Sequence, residues 1–203
     1  MFPASIPKEK LQHLPLTRFG GEIVVVDQMD QLPEVIGHCK QQACMGFDTE
    51  KKPTFQRGQY HPTALIQLST LEKAYLIRVN KIGFPPSLVS LMADPKLIKV
   101  GISIMDDIKA LQKISDFQPE GFLELNDVAG EVGVEDRGVK KLAGIFLEAR
   151  ISKNQQTSNW ENQELTPSQQ LYAATDAWVC MEIYDCLERK GYLDSDIEYL
   201  NVT

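Results

Sequence analysis

The sequence predicts an α/β fold, a mixed sheet flanked by helices in a single domain, from three features of its patterning. Short β-branched or apolar runs alternate with helical segments from residue 22 to about residue 115. Two of those runs are joined by so short a link that an antiparallel hairpin is expected, while the others are spaced by helices. The last third is helical in pattern, and no repeat, low-complexity tract or linker divides the 203 residues.

Taken in order, residues 1–20 contain Pro3, Pro7 and Pro15 without clear periodicity and are expected to form an arm leading into a domain spanning 21–203. Ile23 to Val26 is a β-branched strand, Pro33 to Gln42 a short helix and Cys44 to Glu50 a second strand. The loop KKPTFQRGQYHP then leads to the hairpin strands ALIQLST (64–70) and KAYLIRV (73–79). After Pro85 and Pro86 come a helix to about Met92, the strand LIKVGI, a helix from about Ile104 to Ile114 and a candidate strand, FLEL. An irregular stretch at 151–164, of a length that often carries function, precedes the final helix. Thr166 as cap, Pro167 at the first helical position and Gln169 closing a capping box mark where that helix starts.

Composition narrows the function classes. A chain 43% hydrophobic and 24% charged is ordinary globular material. No apolar run approaches the ~20 residues of a membrane span, and MFPASIPKEK lacks the apolar core of a signal peptide, so a soluble, cytoplasmic chain is expected. Cys39, Cys44, Cys180 and Cys186 make no CxxC pair, and the first three sit among apolar neighbours, which favours packed thiols over disulfides or zinc ligands. A net charge of −7 argues against a broad basic grip on nucleic acid; any such partner must be held locally or through metal.

The chemistry centres on GFDTEKK. Strand alternation puts Asp48 and Glu50 on one face, with Phe47 and Thr49 on the other. A frayed strand end screened by Lys51 and Lys52 is the plain reading, and the rest of the chain argues against it. In VGISIMDDIKAL, Ile104, Ile108 and Leu111 form an apolar stripe that Asp107 joins, whereas Asp106 faces away as the partner of a Ser103 cap. In the final helix Tyr172 and Asp176 share the stripe of Val179, Ile183 and Leu187, where a simple Tyr–Asp hydrogen bond is the alternative. Four inward carboxylates from three elements are too costly to bury unpaired, and cations resolve the cost. Oxygen-only ligands select Mg²⁺ or Mn²⁺, and two such ions about 3.5 to 4 Å apart serve in-line displacement at phosphorus. A metal-free glycosidase also uses a carboxylate pair but leaves Asp107 and Asp176 without a role.

FDTE, VGISIMDDIKAL and YAATD, in that order, resemble the three motifs of the DEDD superfamily of 3′-5′ exonucleases, which have a ribonuclease H-like fold. Tyr172, four before the last Asp, makes the chain similar to the DEDDy branch. DTE followed by KKPTFQRGQYHPTALIQLS, with SNWE and LYAATDA, looks closest there to the Werner syndrome exonuclease domain and ribonuclease D. The resemblance implies that Asp48, Glu50, Asp107 and Asp176 hold two divalent metal ions, Mg²⁺ or Mn²⁺, with Asp48 bridging, and that Tyr172 orients the attacking water. It implies hydrolysis from the 3′ end of DNA or RNA; a catalytically weak or inactive nucleic-acid-binding module of the same fold is the alternative.

Substrate contacts are sought in the two irregular segments. Lys51, Lys52, Phe55, Arg57, Tyr60 and His61 interleave basic and aromatic residues as a strand-end site requires, and a solvated loop is the equal alternative. Arg57 is favoured for its bidentate fit to phosphate. The stretch 151–164 brings Lys153, which matches a Lys of similar proteins, and Trp160, read as core packing; Arg150 lies just before it. Two divalent ions would take the formal charge from −7 to −3 (−7 + 4), making an acidic cleft receptive to phosphate.

Overall fold

A computed structural model describes residues 1–56 and 58–193. The elements are α1 (Lys8–His13), β1 (Glu22–Val26), a 3₁₀ turn (Met29–Gln31) running into α2 (Leu32–Cys39), β2 (Cys44–Lys51), β3 (Thr63–Ser69) and β4 (Lys73–Ile77). Then follow α3 (Val79–Ile82), α4 (Pro86–Met92), β5 (Ile98–Gly101), α5 (Met105–Gln112), β6 (Phe122–Glu124), α6 (Leu125–Glu131), α7 (Val139–Phe146) and α8 (Pro167–Arg189).

The six strands form one sheet in the order β1-β4-β3-β2-β5-β6. Only β3 runs against its neighbours: it pairs antiparallel with β2 and β4, while β1/β4, β2/β5 and β5/β6 are parallel. The short link expected to make a hairpin does so between β3 and β4, and every parallel pair is separated by helix, as crossover geometry demands.

Alternation along the central strands divides the core in two. Phe47, Ile66, Leu68 and Ile77 face α2, α4 and α5, meeting Val35, Leu88 and Ile108. Leu65 and Leu76 face the opposite way, onto Ala173 and Ala174 of α8 and the fully buried Trp160. Each large apolar side chain buried this way contributes about 1.5–3 kcal/mol. Trp160 thus has the packing role the sequence assigns it. Small residues let α8 lie directly on the sheet: a Cβ at Gly46 would stand 1.9 Å from the Ala177 carbonyl oxygen. The α8 start has the anticipated cap, with the Gln169 N–H donating to Thr166 Oγ1 at 3.2 Å and the Thr166 N–H donating to Gln169 Oε1 at 3.0 Å.

The first twenty residues, expected as an arm, carry α1 and lie against the body. Ile6 and Phe19 are buried, the Ile6 N–H donates to Asp136 Oδ2 at 2.7 Å and the Phe19 N–H donates to Thr175 Oγ1 at 3.1 Å. Each fills a separate recess, so their spacing follows neither a period of 2 nor of 3.6 and periodicity cannot detect them. Residues 194–203 of the 21–203 span lie outside the described residues. All four cysteines are free, and no described helix is long and apolar enough to cross a membrane.

Candidate active site

β2 presents the acids. Asp48 sits opposite Gln67 and Glu50 opposite Leu65 in the antiparallel ladder, so both carboxylates point to the α8 side, and a register shift follows at Glu50/Lys51. Asp176 descends onto them from α8 because Gly46, two residues before Asp48, admits the Ala177 backbone. The result is a cluster: oxygens of Asp48, Glu50 and Asp176 lie within 4.8 Å of one another.

Asp107 approaches from the other face of the sheet. It sits on α5, which packs on the Phe47 face, and Thr49 Oγ1 donates to Asp107 Oδ1 at 2.6 Å. Thr49 is the residue that alternation turns away from Asp48 and Glu50. Asp107 does not join the 4.8 Å trio, although its charge is felt by both Asp48 and Glu50.

The start of α5 differs from the expected Ser103–Asp106 capping box. Ser103 has φ +62° and its hydroxyl accepts a hydrogen bond from Asn126 Nδ2 at 3.1 Å instead of capping the helix. The cap comes from Glu124, whose Oε1 accepts from the Ser103 N–H and whose Oε2 accepts from the Ile104 N–H, both at 2.9 Å. A carboxylate from 20 residues away fits these amides better than the adjacent hydroxyl, which the left-handed turn carries off the helix axis. Asp106 is exposed, as expected.

Crowding of acids sets the electrostatics. Burial, then Asp176 and Asp107, push the Asp48 carboxyl well above the usual range. Glu50 is pushed up to about 10 by burial and by Asp48. Asp107 rises to about 6 through burial, restrained by the Thr49 hydrogen bond and by Lys51. Burial also raises Asp176, against the pull of Lys153 and of the Tyr172 hydroxyl. Tyr172 itself is raised by burial and by Asp176, so its hydroxyl stays protonated.

Lys153 is the cation seated among these acids. Its Nζ donates to Asp176 Oδ2 at 2.8 Å and to the Tyr172 hydroxyl at 3.3 Å, and lies 5.2 Å from the centre of the Tyr172 ring. The loop that delivers it is pinned: Arg78, almost fully buried, donates to the carbonyls of Asn162 and Gln163, and Gln169 Nε2 donates to the Asn159 carbonyl at 3.1 Å. Arg150 is turned elsewhere, its Nε donating to the Leu14 carbonyl at 3.0 Å.

The remaining substrate candidates lie on the segment after β2. Lys52 Nζ lies 3.4 Å from Glu161 Oε2 and His61 Nδ1 lies 3.9 Å from Glu161 Oε1, joining the 52–62 loop to the 151–164 loop. Phe55 and Tyr60 are exposed, and Lys113 Nζ sits 4.9 Å above the Tyr60 ring. Arg57 lies outside the described residues. A groove beside Tyr172, lined by Leu16, Arg18, Ser152, Asn154, Gln155 and Ser168, joins segments far apart in sequence, and no local pattern pointed to it.

The donor set suits a divalent cation. All nearby donors are oxygens, and Asp176 Oδ1 is buried without a hydrogen-bond partner among the described residues, as a ligand atom is before its ion binds.

A family model described as 3′-5′ exonuclease matches residues 23–191. The chain is 33% identical over 199 residues to the bifunctional 3′-5′ exonuclease/ATP-dependent helicase WRN of Mus musculus, covering 93% of this chain and 14% of that protein. To ribonuclease D of Haemophilus influenzae it is 31% identical over 169 residues, covering 82% of this chain and 41% of the relative. It therefore spans less than half the length of either. The crystal structure of the Aedes aegypti Nibbler EXO domain superposes with a TM-score of 0.75 at 26% identity, covering 83% of this chain and 88% of that one.

Proposed function

The chain belongs to the 3′-5′ exonuclease family, and from that premise we propose that it removes nucleotides from the 3′ end of DNA or RNA by metal-dependent phosphodiester hydrolysis with two divalent ions, Mg²⁺ or Mn²⁺. The observation that carries this reading is the convergence of Asp48, Glu50 and Asp176 within 4.8 Å.

Asp48, Glu50 and Asp176 would hold one ion, and Asp107 with Asp48 the second. When bound, the ions supply an activated water and neutralise charge on the phosphate. Tyr172, held protonated by burial and by its acidic surroundings, is a hydrogen-bond donor that orients the attacking water, and its ring rests 5.9 Å from that of Trp160. Lys153 offers N–H donors to a non-bridging phosphate oxygen. Phe55 and Tyr60 give faces on which bases stack, with Lys52 and Lys113 near the backbone.

Incubation with 3′-labelled DNA and RNA, single-stranded and recessed, in Mg²⁺ or Mn²⁺ tests this. Stepwise loss from the 3′ end is expected, abolished by EDTA and by Asp48→Ala or Asp107→Ala separately. Survival of activity in either variant would reject the site. Binding without any nucleotide release from the unaltered protein would leave a binding module instead.

A further inference from the structure

Glu124 ends β6 and has no place in the chemistry above, yet it makes more hydrogen bonds than any of the acids that do. Besides the Ser103 and Ile104 amides, its Oε1 accepts from the Asn126 N–H at 3.0 Å and from Asn126 Nδ2 at 2.8 Å. One carboxylate therefore caps α6, which begins beside it, and also holds the two amides just before α5, whose third residue is Asp107. Asn126, buried, extends the network by donating to Ser103 Oγ and by accepting from the Gly138 N–H at 2.9 Å, which fastens the start of α7 as well.

We propose that Glu124 is a positioning residue for Asp107, fixing where that carboxylate stands for the second divalent ion. Among the described residues the Asp107 carboxylate accepts one hydrogen bond, from the Thr49 hydroxyl, and beyond it Asp107 is placed by how α5 starts and packs. Buried Ile104, Ile108 and Leu111 seat α5 on the core, and Glu124 holds the backbone of the turn that leads into it. Ser103 sits in the left-handed region, a conformation an L residue adopts at some cost, and a helix of eight residues has little stability by itself. The Glu124 carboxylate holds the turn through the Ser103 and Ile104 amides, by charge-assisted hydrogen bonds worth roughly twice a neutral one. Among the described residues the hydrogen bonds of Glu124 go to Ser103, Ile104 and Asn126 and not to β2 or α8, which carry Asp48, Glu50 and Asp176, so its hold is on the Asp107 helix.

This inference rests on the two-ion reading, and the experiment separates the two. Mn²⁺ binding is measured by calorimetry and by electron paramagnetic resonance on the full chain. The unaltered protein is expected to show two classes of site and Asp107→Ala only the tighter one. Glu124→Asp, which keeps the charge but draws the carboxylate back from the amides, and Glu124→Gln, which turns an amide N–H₂ toward backbone donors, should both leave the tighter class unchanged and weaken the other about tenfold. Weakening in Glu124→Gln alone would make Glu124 a source of charge and overturn the proposal. Two classes of unaltered affinity in Glu124→Gln would overturn the proposal, and equal weakening of both would reduce Glu124 to general support of the fold. Fewer than two classes in the unaltered protein would instead reject the two-ion reading, and the proposal with it. A second measurement needs no variant at Glu124. Because coupling is reciprocal, Mg²⁺ should slow hydrogen exchange at the Ser103 and Ile104 amides in the unaltered protein and not in Asp107→Ala. Unchanged exchange there would overturn the proposal independently.

Discussion

The Lys153 ammonium lies 2.8 Å from Asp176 Oδ2, with the two side chains only 15% and 3% exposed. A half-buried monovalent cation thus sits against a buried acid that the site offers to a divalent one. It lowers the charge of a cluster in which neighbouring acids push Asp48 and Glu50 upward, and it appears among the influences on Asp48, Glu50 and Asp176 alike.

Replacing Lys153 by Met should expose that balance. Removing one partner of a buried pair costs about 3–5 kcal/mol, so the melting temperature in EDTA should fall by roughly 6–20 °C for a chain of this size. Saturating Mn²⁺ supplies the missing charge, so the deficit should shrink. Scanning calorimetry with and without Mn²⁺ checks this; an equal deficit in both conditions contradicts it.

Stability without metal should decline as pH rises. Asp107 titrates near 6 in the fold against 3.8 unfolded, and Glu50 near 10 against 4.5. Between each pair of values the folded state binds the extra proton, so the stability that the protonated form contributes is complete below the unfolded value and lost as pH climbs to the folded one. For Asp107 that window is about 4 to 6 and for Glu50 about 4.5 to 10. Metal competes with those protons, so the stabilisation by Mn²⁺ should grow with pH across the same range. Melting curves from pH 5 to 9 in EDTA and in Mn²⁺ test both signs.

Tyr172→Phe keeps the ring against Trp160 and removes only the hydroxyl. Losing a hydrogen bond worth about 1.5–3 kcal/mol at the reacting water predicts a kcat lower by about tenfold to a hundredfold. Mn²⁺ affinity should hold within a factor of about two, since the hydroxyl is not a ligand. Single-turnover rates and calorimetry read the two quantities separately.

Two glycines should respond with opposite signs. Gly46→Ala drives a Cβ to 1.9 Å from the Ala177 carbonyl oxygen and 2.8 Å from its carbon, so α8 must lift off β2. A loss of at least about 3 kcal/mol is expected, with weakened Mn²⁺ binding because Asp176 moves with the helix. Gly37 lies within α2 with nothing within 4 Å of an added Cβ, and Gly37→Ala should gain about 0.5–1 kcal/mol. Urea denaturation measures both.

Periodicity carried the sequence a long way, and the same residues show where it stops. The stripe through Asp176 and Tyr172 was readable because α8 is long, well capped and regular, so its inward face is fixed by spacing alone. The acids of β2 were equally readable, since alternation needs only neighbours in the chain. The Ser103 cap was wrong for the opposite reason: local spacing offered a hydroxyl three residues before Asp106, and a carboxylate brought in by β6 took the amides instead. Ile6 and Phe19 were missed because each fills a recess built by distant segments.

By itself, then, the sequence determined which side chains are acids at an inward face, where α8 begins and that strands and helices alternate, because each follows from residues a few positions apart. Only the tertiary structure decided that Asp107 arrives across the sheet by way of Thr49, that Lys153 sits between Asp176 and Tyr172, and that Glu124 holds two helices at once. Those contacts depend on which element packs beside which, and the free energy that selects the arrangement is spread over the whole core.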